Sequence, residues 1–158
     1  MDLSDQKTFF QTLGNKLDEL GLQTAPVAGS GQPQVGDTMR ILVPVTEDGD
    51  AVLMELMVVS LNEETDLLQF YTTLIMELGP GYEALSKALM QWNFLCPLGS
   101  FGIFEQEKQL YHKYGIPVSQ KGDAGELAEQ TLSILALLYD VISKQFPAAV
   151  RLSEGGQM

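Results

Sequence analysis

The stretch TMRILVPVT-EDGD-AVLMELMVVS, residues 38–60, constrains the fold more than any other part of the chain. Apolar residues recur at every second position on both sides of a central Asp-Gly, which is the strongest short-range signal for a β-hairpin. Closing the turn on Asp48 and Gly49, or on all four turn residues, sets Val45 opposite Val52, Val43 opposite Met54 and Ile41 opposite Leu56. One face then holds Met39, Ile41, Val43, Val45, Val52, Met54, Leu56 and Val58 and no polar residue. A slip of one position would scatter that face, so the pattern itself pins the pairing. The opposite face, with Arg40, Leu42, Leu53, Glu55, Met57 and Val59, is mixed but greasier than a solvent face requires.

The hairpin sits between elements of a different period. Phe9, Phe10, Leu13, Leu17 and Leu20 recur at three and four and predict a helix over residues 4–20, capped by Asp2 or Ser4 and stopped by Gly21. Residues 22–37, LQTAPVAGSGQPQVGD, read as a flexible Gly/Pro-rich connection. A third strand is expected over 67–76, with Leu68, Phe70, Leu74 and Met76 on its apolar side. Gly79-Pro80-Gly81 then opens a helix whose stripe is Tyr82, Leu85, Leu89 and Trp92. A second hairpin follows, residues 100–106 and 110–118 turning at Glu107-Lys108. Asp123 caps a last helix that Pro147 should end, leaving 147–158 as a frayed tail. Its main stripe is Leu127, Leu132, Leu135, Tyr139 and Ile142; Ile134, Leu137 and Val141 lie off it, so this helix is apolar on more than one face. The expectation is one α+β domain over 1–158, an antiparallel sheet of about five strands with helices, ordered α-β-β-β-α-β-β-α.

A chain of 158 residues is long enough to bury about two-thirds of its unfolded surface without disulfide or metal. Cys96 is the only cysteine and no basic and apolar leader opens the sequence, which points to a reducing, cytoplasmic setting. The apolar runs AVLM and ILALLY are far shorter than the roughly 20 residues that cross a bilayer. Nine basic against twenty-one acidic side chains give a formal charge of -12, which repels phosphate backbones and anionic headgroups. Nucleic acid and membrane are therefore poor partners.

No motif names a reaction. His112, the only histidine, lies in LYHKYGIP with Leu110, Tyr114 and Ile116 on its own strand face, and Tyr111 and Lys113 on the other. General-base chemistry needs a carboxylate to orient the imidazole and a nucleophile within reach, and only Glu105 is near in sequence. A strand histidine among apolar neighbours is the simpler reading. Cys96 falls at a helix exit, where the dipole disfavours a thiolate. One His and one Cys cannot assemble a zinc site, and the Glu47-Asp48-Asp50 turn lacks the ligand spacing of a calcium loop. Neither Gly29-Ser30-Gly31 nor Gly79-Pro80-Gly81 has the spacing of a phosphate loop. No cofactor and no metal are expected, and the chain is read as not an enzyme.

The apolar surplus is more telling. The mixed sheet face and the over-greasy helix both want covering, which points to Leu42, Leu53, Met57, Val59, Ile134, Leu137 and Val141 as a partner or dimer surface. The element order, with ALSKALMQWN running into LGSFGIFEQEKQLYHKYGIPVS and then a long helix, resembles the type III secretion chaperone-like fold, including the Tir-chaperone type and the YbjN family. That resemblance implies a small acidic protein, usually a homodimer, that binds an extended segment of another protein without ATP or chemistry. The expected function is a non-enzymatic protein-binding module, chaperone-like or regulatory. Its rival is a small-molecule-binding domain or enzyme centred on Tyr111-His112-Lys113.

Overall fold

The hairpin read from residues 38–60 forms, and the sheet grows outward from it. A computed structural model describes residues 3–27 and 35–156. In chain order the elements are α1 (Leu3–Glu19), β1 (Gln23–Val27), β2 (Val35–Pro44), β3 (Ala51–Ser60), β4 (Thr65–Ile75), α2 (Tyr82–Leu95), β5 (Ser100–Phe104), β6 (Gln109–Ser119) and α3 (Ala124–Ser153). The six strands form one antiparallel sheet in the order β1-β2-β3-β4-β6-β5. The protein is thus α+β as expected, with one strand more than predicted. That strand is β1, which lies in the segment read as a flexible connection and pairs with β2 from Gln23↔Leu42 to Val27↔Thr38. Pairing supplies what its composition does not: a strand with Pro26 in it is tolerated because β1 is an edge. Residues 28–34 of that connection lie outside the described residues.

Both hairpins close two residues away from the predicted register. In the first, Val43 pairs with Val52 and Ile41 with Met54. The four-residue loop is Thr46 to Gly49 instead of Glu47 to Asp50, since the Val45 amide donates to the Asp50 carbonyl at 2.8 Å and the Asp50 amide to Thr46 Oγ1 at 3.1 Å. Gly49 takes φ +95°, which favours glycine at the end of that loop. In the second hairpin the loop is Glu105 to Lys108, so His112 faces Phe101 and not Ile103. A shift of two keeps every side chain on its face, which is why the core composition was readable although the register was not.

All three helices cover one side of the sheet: α1 packs on α3, β1 and β2, α2 on α3 and β5, and α3 on β4. The covered sheet side holds Met39, Ile41, Met54, Leu56, Leu68 and Phe70, each at most 4% exposed. Each such side chain withdrawn from water contributes roughly 1.5–3 kcal/mol before entropy is counted. On β4 the register shifts between Thr73 and Ile75, so Leu74 is buried and Met76, expected beside it, is exposed.

α3 corrects two expectations. It is capped by Asp123, whose Oδ1 accepts the Glu126 amide at 2.8 Å, but it runs through Pro147 to Ser153. Burial continues past the proline with Ala149 and Leu152, and Ser153 Oγ accepts the Gly79 amide at 2.9 Å. The residues read as a frayed tail up to Ser153 are therefore structural; Gln157 and Met158 lie outside the described residues. The helix is also turned about its axis relative to the predicted stripe. Its core line is Ala128, Thr131, Ile134, Leu138, Ile142, Phe146 and Ala149, while Leu132 and Leu135 are half-buried and Tyr139 is exposed. By length and composition α3 is apolar enough to cross a membrane, and here it is the helix that holds α1 and α2 together.

Candidate functional site

The histidine hairpin is a packed core feature. His112 is 0% exposed, its ring edge-on to Phe101 with centroids 4.9 Å apart. Nε2 lies 2.8 Å from the Leu98 carbonyl, which can only accept, so Nε2 carries the proton. Burial lowers the pKa of the ring and keeps it neutral, opposed only by that backbone hydrogen bond. Cys96 Sγ stands 3.8 Å from the same Nε2 and donates to the same carbonyl at 3.0 Å. Both groups point hydrogens at one oxygen, so the imidazole cannot take the thiol proton from that side. Among the described residues Nδ1 has no hydrogen-bond partner, and neither has the hydroxyl of Thr72, its cross-strand neighbour. Tyr111 and Lys113 sit on the far side of the sheet, where Tyr111 stacks on Tyr71 with centroids 5.1 Å apart. Glu105 is taken by the Tyr82 hydroxyl at 2.9 Å. The sheet therefore separates the three residues of the rival site. Among the described residues no three His, Cys, Asp or Glu side chains gather where a metal could be held.

The helical layer leaves a gap instead. Where α1 ends and the chain turns into β1, Leu17, Leu20 and Leu22 face the first half of α3 across the β2–β3 hairpin. Leu132, Leu135, Ala136 and Tyr139 form the opposite wall, with Ile41, Val43 and Met54 as floor. The groove holds about 470 Å³ and is apolar apart from one carboxylate, Asp140, at its margin. Leu20 is 68% and Tyr139 42% exposed, so the rim is greasy as well as the floor. Away from the rim, Lys16 and Glu129 pair to tie α1 to α3.

A second apolar feature ends α2. Leu85, Ala88, Leu89 and Trp92 are buried, and on the other side Met90, Phe94 and Leu95 are 78%, 88% and 77% exposed. The chain turns at Cys96 and Pro97, and between them and α3 lies a concavity of about 290 Å³.

The residues expected to form a partner surface divide three ways. Leu42, Leu53, Met57 and Val59 lie on the helix-free side of the sheet, Leu42 exposed and the others half-buried. Ile134 is buried in the core line of α3 and presents nothing to a partner, a correction that follows from the turn of the helix. Leu137 is exposed and Val141 lines the concavity beside α2. The spacing of Leu132, Leu135 and Tyr139 predicts a core stripe, so the groove they line is not visible in the sequence. Met90 and Phe94 were detectable: they are four residues apart and off the line of Leu85, Leu89 and Trp92.

Compared with known proteins, the chain matches no family model and no curated protein sequence.

Proposed function

We propose that this chain is a non-enzymatic protein-binding module, chaperone-like or regulatory, whose groove between α1, α3 and the sheet takes an apolar segment of a partner polypeptide. The observation that carries this reading is the groove: about 470 Å³, open to solvent, apolar on floor and rim, with Asp140 as its one charge. An amphipathic segment laid in such a groove buries its large side chains and leaves its polar side in water. Asp140 and the formal charge of -12 favour a segment that carries Lys or Arg next to those anchors. The half-buried, unbridged Cys96 fits a reducing, cytoplasmic compartment.

Selection of displayed random peptides on the full chain tests this. Enriched sequences should combine two or more large apolar residues with a basic one. Ala136 is exposed on the groove wall, so Ala136→Trp fills the space without touching the core and should weaken the selected peptides at least about tenfold, or ~1.4 kcal/mol. No enrichment, or affinity indifferent to Ala136→Trp, removes the reading. The groove volume also lies in the range of small-ligand pockets, roughly 300–1,000 Å³. Thermal stabilisation by one of a panel of metabolites, abolished by Ala136→Trp, would favour that rival.

A further inference from the structure

We propose that Tyr71 and Tyr111, stacked on the helix-free side of the sheet, are an oxidative modification site: a one-electron oxidant, such as the activated haem of a peroxidase, joins their rings as dityrosine and staples β4 to β6. The site lies on the side of the sheet away from the groove and is independent of it.

Tyr71 and Tyr111 stand diagonally across neighbouring strands, since Tyr71 pairs with Lys113 and Thr73 with Tyr111. A diagonal of this kind leaves aromatic side chains within reach of each other. The two rings are nearly parallel, 21° between planes, with centroids 5.1 Å apart. Of the five tyrosines, no other two have their rings in contact among the described residues. Strand β5 fixes the arrangement. Gly102 pairs with Tyr111, and a Cβ there would meet Tyr111 Oη at 2.5 Å and Cζ at 2.6 Å. The ring of Tyr111 therefore lies over a residue with no side chain, and Tyr71 stacks on it. Both residues are half-buried on a side that no helix covers, so a small diffusing oxidant reaches the ring edges.

Burial, the neighbouring Tyr111 hydroxyl and the Glu55 carboxylate raise the pKa of Tyr71, so its phenol is protonated at neutral pH. Oxidation of each ring thus releases one electron to the oxidant and one proton to water, leaving a phenoxyl radical. Two radicals held in stacking contact couple within the molecule, because their effective concentration far exceeds that of any second chain. A carbon–carbon bond forms between ring carbons next to the hydroxyls, and the hydrogens on those carbons return to the oxygens through water. The net loss is two electrons and two protons. β4 closes the first meander and β6 belongs to the second hairpin, so the bond ties together two parts of the sheet that the chain connects through α2 and β5. With a single cysteine the chain cannot form that tie as an internal disulfide.

Photolysis of the full chain at low micromolar concentration with tris(bipyridyl)ruthenium and persulfate, which generates a small one-electron oxidant, tests this. The monomer should become two hydrogen atoms lighter, acquire the blue fluorescence of dityrosine, and give on digestion a cross-linked peptide pair containing Tyr71 and Tyr111. Tyr71→Phe and Tyr111→Phe keep the ring and lose only a hydroxyl, so both should fold as the wild type by circular dichroism. Each should lower the yield of intramolecular dityrosine at least about tenfold, whereas Tyr139→Phe should leave it unchanged. A bond that closes the chain from Tyr71 to Tyr111 restricts the unfolded state, so the cross-linked monomer should melt at least about 5 °C above identically treated Tyr71→Phe. An intramolecular bond mapped to other tyrosines, dityrosine found only between chains, a yield indifferent to Tyr71→Phe, or a cross-linked monomer that melts no higher overturns the proposal.

Discussion

At Gly99 a single methyl group would meet the Lys113 carbonyl at 2.3 Å and His112 Cε1 at 2.8 Å, with the backbone at φ +69°. The turn from α2 into β5 thus depends on having no side chain where the imidazole packs. Gly99→Ala should cost roughly 2–4 kcal/mol in chemical denaturation, combining left-handed strain with a clash against backbone. A loss under about 0.5 kcal/mol, typical of open surface positions, would show that the packing around His112 is looser than described. His112 itself gives a pH signature. Its folded pKa lies below its unfolded value of about 6.5, so the unfolded chain binds the extra proton and stability is full above that value and lost as the pH falls below it. The stability gap between wild type and His112→Gln should narrow between about pH 7.5 and 5, the range of histidine titration. A constant gap would place the imidazole in contact with water. The sequence already told that His112 shares a face with Leu110, because alternation in a strand fixes sides. It could not tell that Leu98, fourteen residues earlier, supplies the carbonyl.

Helix α3 continues past the proline at which its own sequence would end it. Pro147 stops a helix when nothing beyond it is held; here Ala149 and Leu152 are buried and the Gly81 amide donates to the Ser153 carbonyl at 2.9 Å. Tertiary packing outweighs the missing amide of Pro147, which is itself exposed. Pro147→Ala should therefore raise the melting temperature, since proline inside a helix costs about 3 kcal/mol and only part of that is relaxed locally. Truncation after Pro147 should do the reverse, exposing the site where Gly79 and Gly81 dock. Equal melting of the truncated and full chains would contradict the buried end of α3. Strand β1 was hidden for the converse reason: QTAPV has no strand pattern of its own and is ordered by β2. Alternation in β2, β3, β4 and β6 was legible because one side of each strand is covered, and the loops set the register that alternation leaves open.

The whole molecule combines a formal net charge of -12 with large apolar side chains that stay exposed among the described residues. Raising salt screens the mutual repulsion of the acids, so melting temperature should rise between about 20 and 500 mM NaCl, as the Debye length shortens from roughly 20 Å toward 4 Å. Binding of a basic amphipathic peptide should weaken over the same range, and the opposite signs separate the two effects. That apolar side chains exceed what the core hides was readable from composition and patterning. Which ones are left over was not, since the rotation of α3 decides whether Leu132 or Ile134 reaches the core. Methyl-resolved NMR of the chain with a selected peptide should place that peptide in the groove beside α3. Methyl signals of Leu132, Leu135 and Ile41 should shift in proportion to bound peptide while those of Leu53 and Val59, on the helix-free side, stay in place. Shifts confined to Leu53 and Val59, with the groove silent, would contradict it.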